Sequence, residues 1–231
     1  MTRTYVVPDL HGRRDLLAMA LQAIATRAGG DPATVVTLGD YIDRGPDSRG
    51  VVELLIGLRR DPPRGWRVIC LKGNHEALLE DALQHPARLL NWIAKGGDAA
   101  LRSYGAASLR DLSVIPVDHR AWFAALALIY VDRHRIYVHA GVDAELSLDR
   151  QPAATLLSKR YPNAMADGYD CLHVVHGHDR APDGPLLFRG RTNLDTMAWS
   201  TGRLAVGVFA DDQAGGPVDL IELQGPALAS S

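Results

Sequence analysis

The segment "TVVTLGDYIDRG", residues 34–45, runs from an apolar stretch directly into a polar cluster. The β-branched residues of 34–38 are typical of a buried strand. The cluster behind them holds Asp40, Asp43 and Arg44, and by itself it could be an ordinary turn with an exposed charge pair. The segment predicts a strand with a polar turn at its end, so its chemistry depends on what else the fold brings there.

Four other polar clusters also come where a strand-like run ends. They are "PDLHG" after 4–7, "KGNHE" after 67–71, "HAG" after 135–139 and "HGHD" after 172–176. Each alone could be a turn, a helix cap or a core histidine. In open α/β sheets, however, ligands bind outside the carboxyl ends of the strands. We therefore expect the five clusters, rich in Asp, His and Asn, to converge on one side of one sheet.

The segments between the early strands have helical spacing. Apolar residues fall on one face of 14–28 and of 49–60, which predicts two amphipathic helices. This alternation of strands and helices favours an α/β layered fold. The C-terminal third, including the strand-like run 203–209, is richer in strands and turns, so a mixed sheet is expected. Residues 77–130 are predicted to be helical, with a core formed by Trp92, Ile93, Trp122, Phe123 and Leu126.

Composition sets the broad class. The chain has 231 residues, 47% of them hydrophobic and 23% charged, with a formal net charge of −2. These values predict one soluble domain spanning 1–231, with a frayed tail after about residue 224. The near-neutral charge indicates neither a nucleic-acid partner nor a membrane partner. The oligomeric state is left open.

The two cysteines bear on the compartment. Cys70 and Cys171 both lie in apolar, strand-like runs, where we expect buried free thiols rather than a disulfide. Free thiols fit a reducing compartment. The N-terminus lacks the apolar core of a signal peptide, and no apolar run approaches about 18 residues. The protein is therefore expected to be cytoplasmic.

The order of the clusters resembles a known family. D-x-H-G, G-D-x-x-D-R-G, G-N-H-E, H-A-G and a late G-H follow one another as in the phosphoprotein phosphatases, which include the phage lambda protein phosphatase and bacterial serine/threonine phosphatases. The stretches "WIAKGGDAALRSYG" (92–105), "YVHAGVD" (137–143) and "TNLDT" (192–196) resemble the bacterial branch. The resemblance covers roughly 4–209. It implies an α/β calcineurin-like metallophosphoesterase fold, a mixed β-sandwich flanked by helices in the order α/β/β/α.

The resemblance also implies two divalent metal ions that share Asp40. One ion would be held by Asp9, His11 and Asp40, and the other by Asn74, His139, His178 and Asp40. Donors of oxygen and imidazole nitrogen, with no cysteine, favour Mn²⁺, with Fe or Zn as alternatives. His178 is expected to be the late ligand, and His176 to be a core or supporting residue.

Roles in catalysis follow from the same resemblance. His75 would be the general acid, and Asp43 would hold it in its protonated form. Arg44 would clamp the substrate phosphate through its planar fork. Arg160 is the best candidate for a second clamp, and Arg150 is its competitor.

The predicted activity is metal-dependent phosphomonoester hydrolysis, with a serine/threonine phosphoprotein as the substrate. Water activated by two metal ions would attack phosphorus directly, without a phosphoenzyme. A second interpretation keeps the site and changes the substrate to a dinucleoside polyphosphate such as diadenosine tetraphosphate. A third is a phosphate-binding module with an inactive site. Its support is Pro8, which stands where the family usually has glycine and could displace Asp9.

Overall fold

The computed structural model describes residues 2–162 and 166–228. Its strands in this part of the chain are β1 (Arg3–Val7), β2 (Ala33–Thr37), β3 (Trp66–Cys70), β4 (Ile129–Val131), β5 (Arg135–Val138), β6 (His173–His176), β7 (Leu186–Leu187), β8 (Arg191–Asn193), β9 (Arg203–Ala210) and β10 (Asp219–Gln224). Its α-helices are α1 (Arg14–Ala28), α2 (Ser48–Arg60), α3 (Asn74–Gln84), α4 (Leu89–Trp92), α5 (Asp98–Ser103), α6 (Val117–Ala124), α7 (Ala153–Ser158) and α8 (Ala198–Thr201).

The strands form two mixed sheets. The first has the order β10-β9-β1-β2-β3, and the second has the order β4-β5-β6-β8-β7. Strands β1, β2 and β3 are parallel to one another, as are β5, β6 and β8. Each parallel set therefore presents its carboxyl ends at one edge of its sheet.

Three apolar layers hold the sheets and helices together. The layer between the sheets contains Val6, Val36, Tyr137, Val175 and Phe209, all fully or almost fully buried. A larger layer joins the outer face of the first sheet to helices that include α1 and α2. A smaller one packs α7 onto the outer face of the second sheet. This is the sandwich flanked by helices that the motif order implied.

Local chemistry sets the ends of the two predicted helices. Helix α2 begins after Asp47, whose side chain accepts a hydrogen bond from the Gly50 N–H at 2.8 Å, as an N-cap residue does. Helix α1 ends at Gly29, which takes the left-handed conformation with φ of 59° at little steric cost. Both ends agree with the sequence prediction to within one residue.

The sequence prediction was accurate for the central strands and incomplete at the edges. All six predicted strands occur within one residue of their expected ends. The strands that it missed are β4, β7, β8 and β10, which are short or half-exposed. The segment 77–130 is broken into several short helices and includes part of β4. Of its expected core residues, Trp92, Phe123 and Leu126 are buried, whereas Ile93 and Trp122 are partly buried.

Three further expectations can be compared with the structure. Cys70 is buried and Cys171 is exposed, and both are free thiols. The expectation for Cys171 was wrong because it lies in the tight turn between Tyr169 and Leu172, before β6 begins. The tail was expected to fray after about residue 224, but Gly225 is still bonded to the fold, because its N–H donates to Gly202 O. Residues 229–231 of the tail lie outside the described part of the chain. Among the described residues, no helix is long and apolar enough to cross a membrane.

Candidate active site

The polar clusters converge where the carboxyl ends of parallel strands from both sheets meet. They enclose a cleft of about 160 Å³, lined by Asp9, Asp40, Arg44, Asn74, His75, Lys95, Arg160, His178, Arg180 and Asp195. The expectation of convergence on one sheet was wrong in one respect. Asp9, Asp40 and Asn74 follow strands of the first sheet, whereas His139 and His178 follow β5 and β6 of the second. The cleft thus lies across the open end of the sandwich.

Asp40 lies at the centre of the cluster. Its Oδ2 is 3.4 Å from His11 Nε2, and its Oδ1 is 3.5 Å from His139 Nε2. The two carboxylate oxygens therefore face different histidines, as a carboxylate shared by two ions would. Burial would raise the pKa of Asp40, but His139, His75 and His11 hold it well below its usual range.

The second proposed ligand group is compact. His139 Nε2 is 2.9 Å from Asn74 Oδ1 and 3.2 Å from His178 Nδ1. His139 Nδ1 lies 3.0 Å from Leu38 O, so its proton belongs on Nδ1 and its Nε2 lone pair points at the other donors. With His178 protonated on Nε2, three lone pairs, on His139 Nε2, Asn74 Oδ1 and His178 Nδ1, would face one another, which is an arrangement that a cation stabilises.

The first proposed group differs from expectation in the position of Asp9. Metal-binding atoms lie within 4.8 Å of one another in His11, Asp40 and His75, and again in Asp40, His139 and His178. Asp9 lines the same cleft, where both its oxygens accept the His178 N–H at 3.3 Å. Pro8 therefore does not remove Asp9 from the cleft, although His75 is the residue that groups with His11 and Asp40.

The charges of the cleft fit divalent cations. Burial, Asp195 and Asp40 raise the pKa of Asp9 well above its usual range, because adjacent buried carboxylates repel one another. Burial lowers the pKa of His139. Burial and His139 lower the pKa of His178 to about 3, which favours the neutral form of His178 that can bind a metal. Oxygen and neutral imidazole donors of this kind fit divalent cations.

His75 is held rigidly by Asp43. The two side chains are 2.6 Å apart between His75 Nδ1 and Asp43 Oδ2, and the Trp92 indole N–H donates to Asp43 at 2.9 Å. Burial alone would lower the pKa of His75, but Asp40 and Asp43 outweigh it and raise the pKa above its ordinary value. The imidazole is therefore oriented with Nδ1 towards Asp43, and its raised pKa favours a second proton on Nε2 whenever no other donor occupies that atom.

Arg44 lies between two of the histidines. Its Nη1 donates to His11 Nε2 at 2.7 Å, and its Nη2 donates to His75 Nε2 at 2.9 Å. One face of its guanidinium is 5.4 Å from the centre of the Trp199 ring. The backbone N–H of Arg44 donates to Gly96 O at 3.0 Å. The planar fork is thus fixed at the cleft with two donors directed inward.

The two candidates for the second clamp occupy different places. Arg160 lines the cleft, and its Nη1 donates to Asp179 Oδ1 at 3.1 Å. Arg150 lies at the end of a short 3₁₀ turn, 148–150, and is not among the residues that line the cleft. His176 is fully buried in β6, with its Nε2 3.1 Å from Arg191 Nη1. It faces the interior, while His178 faces the cleft.

The backbone of the cleft carries an unusual conformation that the motifs did not predict. Five of the predicted site residues have positive φ, namely His11 (44°), Asp40 (51°), Asp43 (75°), Arg44 (64°) and His178 (63°). Such angles are uncommon for residues other than glycine and cluster at functional sites. Space is equally restricted, since a Cβ on Gly73 or Gly177 would collide with the carboxylates of Asp40 and Asp9 respectively.

Four residues of the site were not assigned a role from the sequence. Asp195, Lys95 and Arg180 line the cleft, and burial with Asp40 raises the pKa of Asp195 to about 6. Glu76 accepts the N–H groups of Asp40, Tyr41 and Gly73 at 2.8–2.9 Å and so fixes the turn after β2. For Glu76 a signal existed, because a glutamate at the third helical position is typical of a capping box.

The family model of the calcineurin-like phosphoesterases matches residues 2–209. The chain therefore belongs to this family, and both the family and the fold predicted from the motifs are confirmed. Membership also confirms the broad prediction of a metallophosphoesterase.

The relatives carry different names. Serine/threonine-protein phosphatase 2 of Escherichia coli is 35% identical over 94 residues, which are 41% of this chain and 38% of that protein. A symmetrical bis(5'-nucleosyl)-tetraphosphatase of Pseudomonas fluorescens is 30% identical over 151 residues, 63% of this chain and 43% of that protein. The chain thus matches less than half the length of these curated relatives. A crystal structure of a candidate diadenosine tetraphosphatase has a TM-score of 0.64 and 24% identity, over 96% of this chain and 93% of that one.

Proposed function

We propose that the chain is a metal-dependent phosphatase that removes phosphate from phosphoserine and phosphothreonine in proteins. The observation that carries the proposal is the arrangement around Asp40. One carboxylate faces His11 and His139, and the His75–Asp43 pair lies beside it with Arg44. A proton donor, a phosphate clamp and two groups of metal-binding atoms then lie in one cleft.

The metal ions would be held by the predicted ligands. Asp9, His11 and Asp40 would hold one ion, and Asn74, His139, His178 and Asp40 the other. A pair of this kind supplies positive charge to the phosphoryl oxygens and makes water nucleophilic near neutral pH. We propose Mn²⁺ as the ion, because the donors are oxygen and imidazole nitrogen.

The protein's own side chains bind the substrate and move the proton. Arg44 would donate both of its inward N–H groups to phosphoryl oxygens, and Arg160 would bind from the rim. A phosphate bound to Arg44 would take the place of His75 as its partner, leaving His75 Nε2 to donate a proton to the leaving oxygen. Asp43 would keep the imidazole aligned through Nδ1.

The protein substrate is favoured by the lining of the cleft. None of the ten residues that line it in the described part of the chain is Phe, Tyr or Trp, and nucleobases are usually bound by stacking on such rings. The dinucleoside polyphosphate alternative is supported by the Pseudomonas relative, which aligns over the longer segment, and by the cationic rim formed by Lys95, Arg160 and Arg180.

We also propose that one domain spans the chain and that it acts in the cytoplasm. The support for the location is the pair of free cysteines, Cys70 and Cys171, since exposed thiols such as that of Cys171 persist in reducing compartments.

A direct assay separates these possibilities. Purified protein with Mn²⁺ would be given a phosphoserine peptide and, separately, diadenosine tetraphosphate, with and without a chelator. The proposal predicts a higher kcat/KM for the peptide and loss of activity with the chelator. Preference for the dinucleotide would support the alternative, and absence of turnover on both substrates with metal bound would support the inactive module.

A further inference from the structure

A second cavity of about 270 Å³ lies beside the cleft and shares two arginines with it. Arg160 and Arg180 line both spaces, and the second cavity is completed by Tyr161, Asp179, Leu186, Arg191 and Asn193. The two arginines therefore form the boundary between the cleft and its neighbour. A group bound in the second cavity would lie next to a phosphate in the cleft.

The second cavity is strongly cationic. Three arginines line it against one carboxylate, that of Asp179. Asp179 already accepts from Arg160 Nη1 at 3.1 Å and from the Tyr161 N–H at 3.1 Å. Arg191 forms the buried side, with its guanidinium 4.8 Å from the centre of the Tyr161 ring. The Asp179 carboxylate thus already has two hydrogen-bond donors, and the lining of the second cavity still carries more positive than negative charge.

Arg180 is the donor most available to a ligand. It is exposed, and no residue in the described part of the chain forms a side-chain hydrogen bond or ion pair with it. Its guanidinium can therefore turn towards an anion without breaking an existing contact. Because it follows the proposed ligand His178 by two residues, its backbone is fixed at the edge of the cleft.

We propose that the second cavity binds a phosphate group of the substrate other than the one being hydrolysed, through Arg180, with Arg160, which lines both spaces, between the two phosphates. A neutral group would leave the Arg180 charge without a partner, whereas arginine binds phosphate by charge-assisted, often bidentate hydrogen bonds. The cavity is smaller than the roughly 300 Å³ at which pockets for drug-sized ligands begin, and it suits a compact anion. The inference rests on the proposed phosphatase activity and narrows its substrates to those with two neighbouring phosphates.

Two sources could supply the second phosphate: a neighbouring phosphoserine in the same peptide, or the next unit of a phosphoanhydride chain. The test uses matched substrates, which are a peptide with one phosphoserine, the same peptide with two adjacent phosphoserines, and inorganic tripolyphosphate. For each, kcat/KM would be measured for the wild-type protein, Arg180→Ala and the control Arg133→Ala. Arg133 is an exposed arginine outside both cavities.

The expected result is a preference of the wild type for a doubly phosphorylated substrate, reduced about tenfold in Arg180→Ala, as the loss of one charged hydrogen bond implies. Arg133→Ala should retain the preference. The substrate whose kcat/KM falls most in Arg180→Ala identifies whether the second phosphate comes from a peptide or from a phosphoanhydride chain. An equal loss on all substrates would overturn the inference by assigning Arg180 to the scissile phosphate, and no loss would overturn it as well. If the wild type hydrolyses none of them, the proposed phosphatase activity itself fails.

Discussion

The inner side of the cleft and its outer rim are built differently. The inner side, formed by His75, Asp43 and Trp92, is almost fully closed to solvent, with the His75 and Asp43 side chains 2% and 0% exposed. The outer rim, formed by Lys95, Arg160 and Arg180, is open, and the Arg160 side chain is 60% exposed. Buried, hydrogen-bonded groups keep a fixed geometry, whereas exposed cations can adapt. The inner side therefore suits the reaction, and the rim suits substrate choice.

The largest expected effect is on the inner side. Replacing the general acid, His75→Asn, should lower kcat by about 10²–10⁴-fold, because the leaving oxygen loses its proton donor. The metal content measured by elemental analysis should stay near the wild-type value. An unchanged kcat would show that His75 is not the general acid and that the inner side of the cleft does not supply the proton.

The next effect concerns the clamp that joins the two sides. Arg44→Lys should lower kcat/KM by about 10–100-fold, since an ammonium cannot donate two parallel hydrogen bonds to a phosphate. Steady-state kinetics on a phosphopeptide would measure it. Arg49→Lys, at an exposed arginine that pairs with Glu53, is the matched control and should leave kcat/KM unchanged. Equal kcat/KM values for Arg44→Lys and Arg49→Lys would contradict the assignment of Arg44 as the phosphate clamp.

A smaller effect is expected at the rim. Arg160→Ala should raise KM on a phosphopeptide about tenfold with a lesser change in kcat, as the loss of one charge-assisted contact implies. Arg150→Ala should change neither parameter because Arg150 lies away from the cleft. A raised KM in Arg150→Ala with no change in Arg160→Ala would instead assign the second clamp to Arg150.

The smallest effect tests the support behind His75. Trp92→Phe removes the indole N–H that donates to Asp43 and should reduce kcat by roughly fivefold, about 1 kcal/mol of lost alignment. Trp122→Phe is the control, because the Trp122 Nε1 has no hydrogen-bond partner among the described residues. Trp92→Phe should lower the melting temperature more than Trp122→Phe, because the buried Asp43 loses a donor. At a temperature well below both unfolding transitions, only Trp92→Phe should have a reduced kcat.

Much of the fold could be predicted because its central strands are rich in apolar and β-branched residues. The clusters at their ends made the convergence of Asp40 and His139 predictable. The division of the strands between two sheets was not predictable from their own pattern, because it depends on which strands pair in the fold. The sandwich was predicted only through the resemblance to the family.

Seven of the ten predicted site residues line the cleft, and the other three, His11, Asp43 and His139, contact them. The structure departs from the prediction in one detail. Asp9 keeps its place in the lining, yet His75 lies in the group beside His11 and Asp40. Asp195 and Arg180 could not be singled out, since neither stands at a spacing that implies a ligand or a clamp. Arg180 was also hard to single out because nearly all the basic residues of the chain are arginines, and only three are lysines. Proximity in the fold, rather than sequence spacing, brings these two residues to the site.

The central claim is that two metal ions share Asp40. The most direct measurement is the number of Mn²⁺ ions bound per chain, by calorimetry and elemental analysis, in the wild type and in Asp40→Asn. The account predicts two ions in the wild type and weakened binding of both in the variant. Two ions retained at unchanged affinity in Asp40→Asn, or none bound by the wild type, would contradict it.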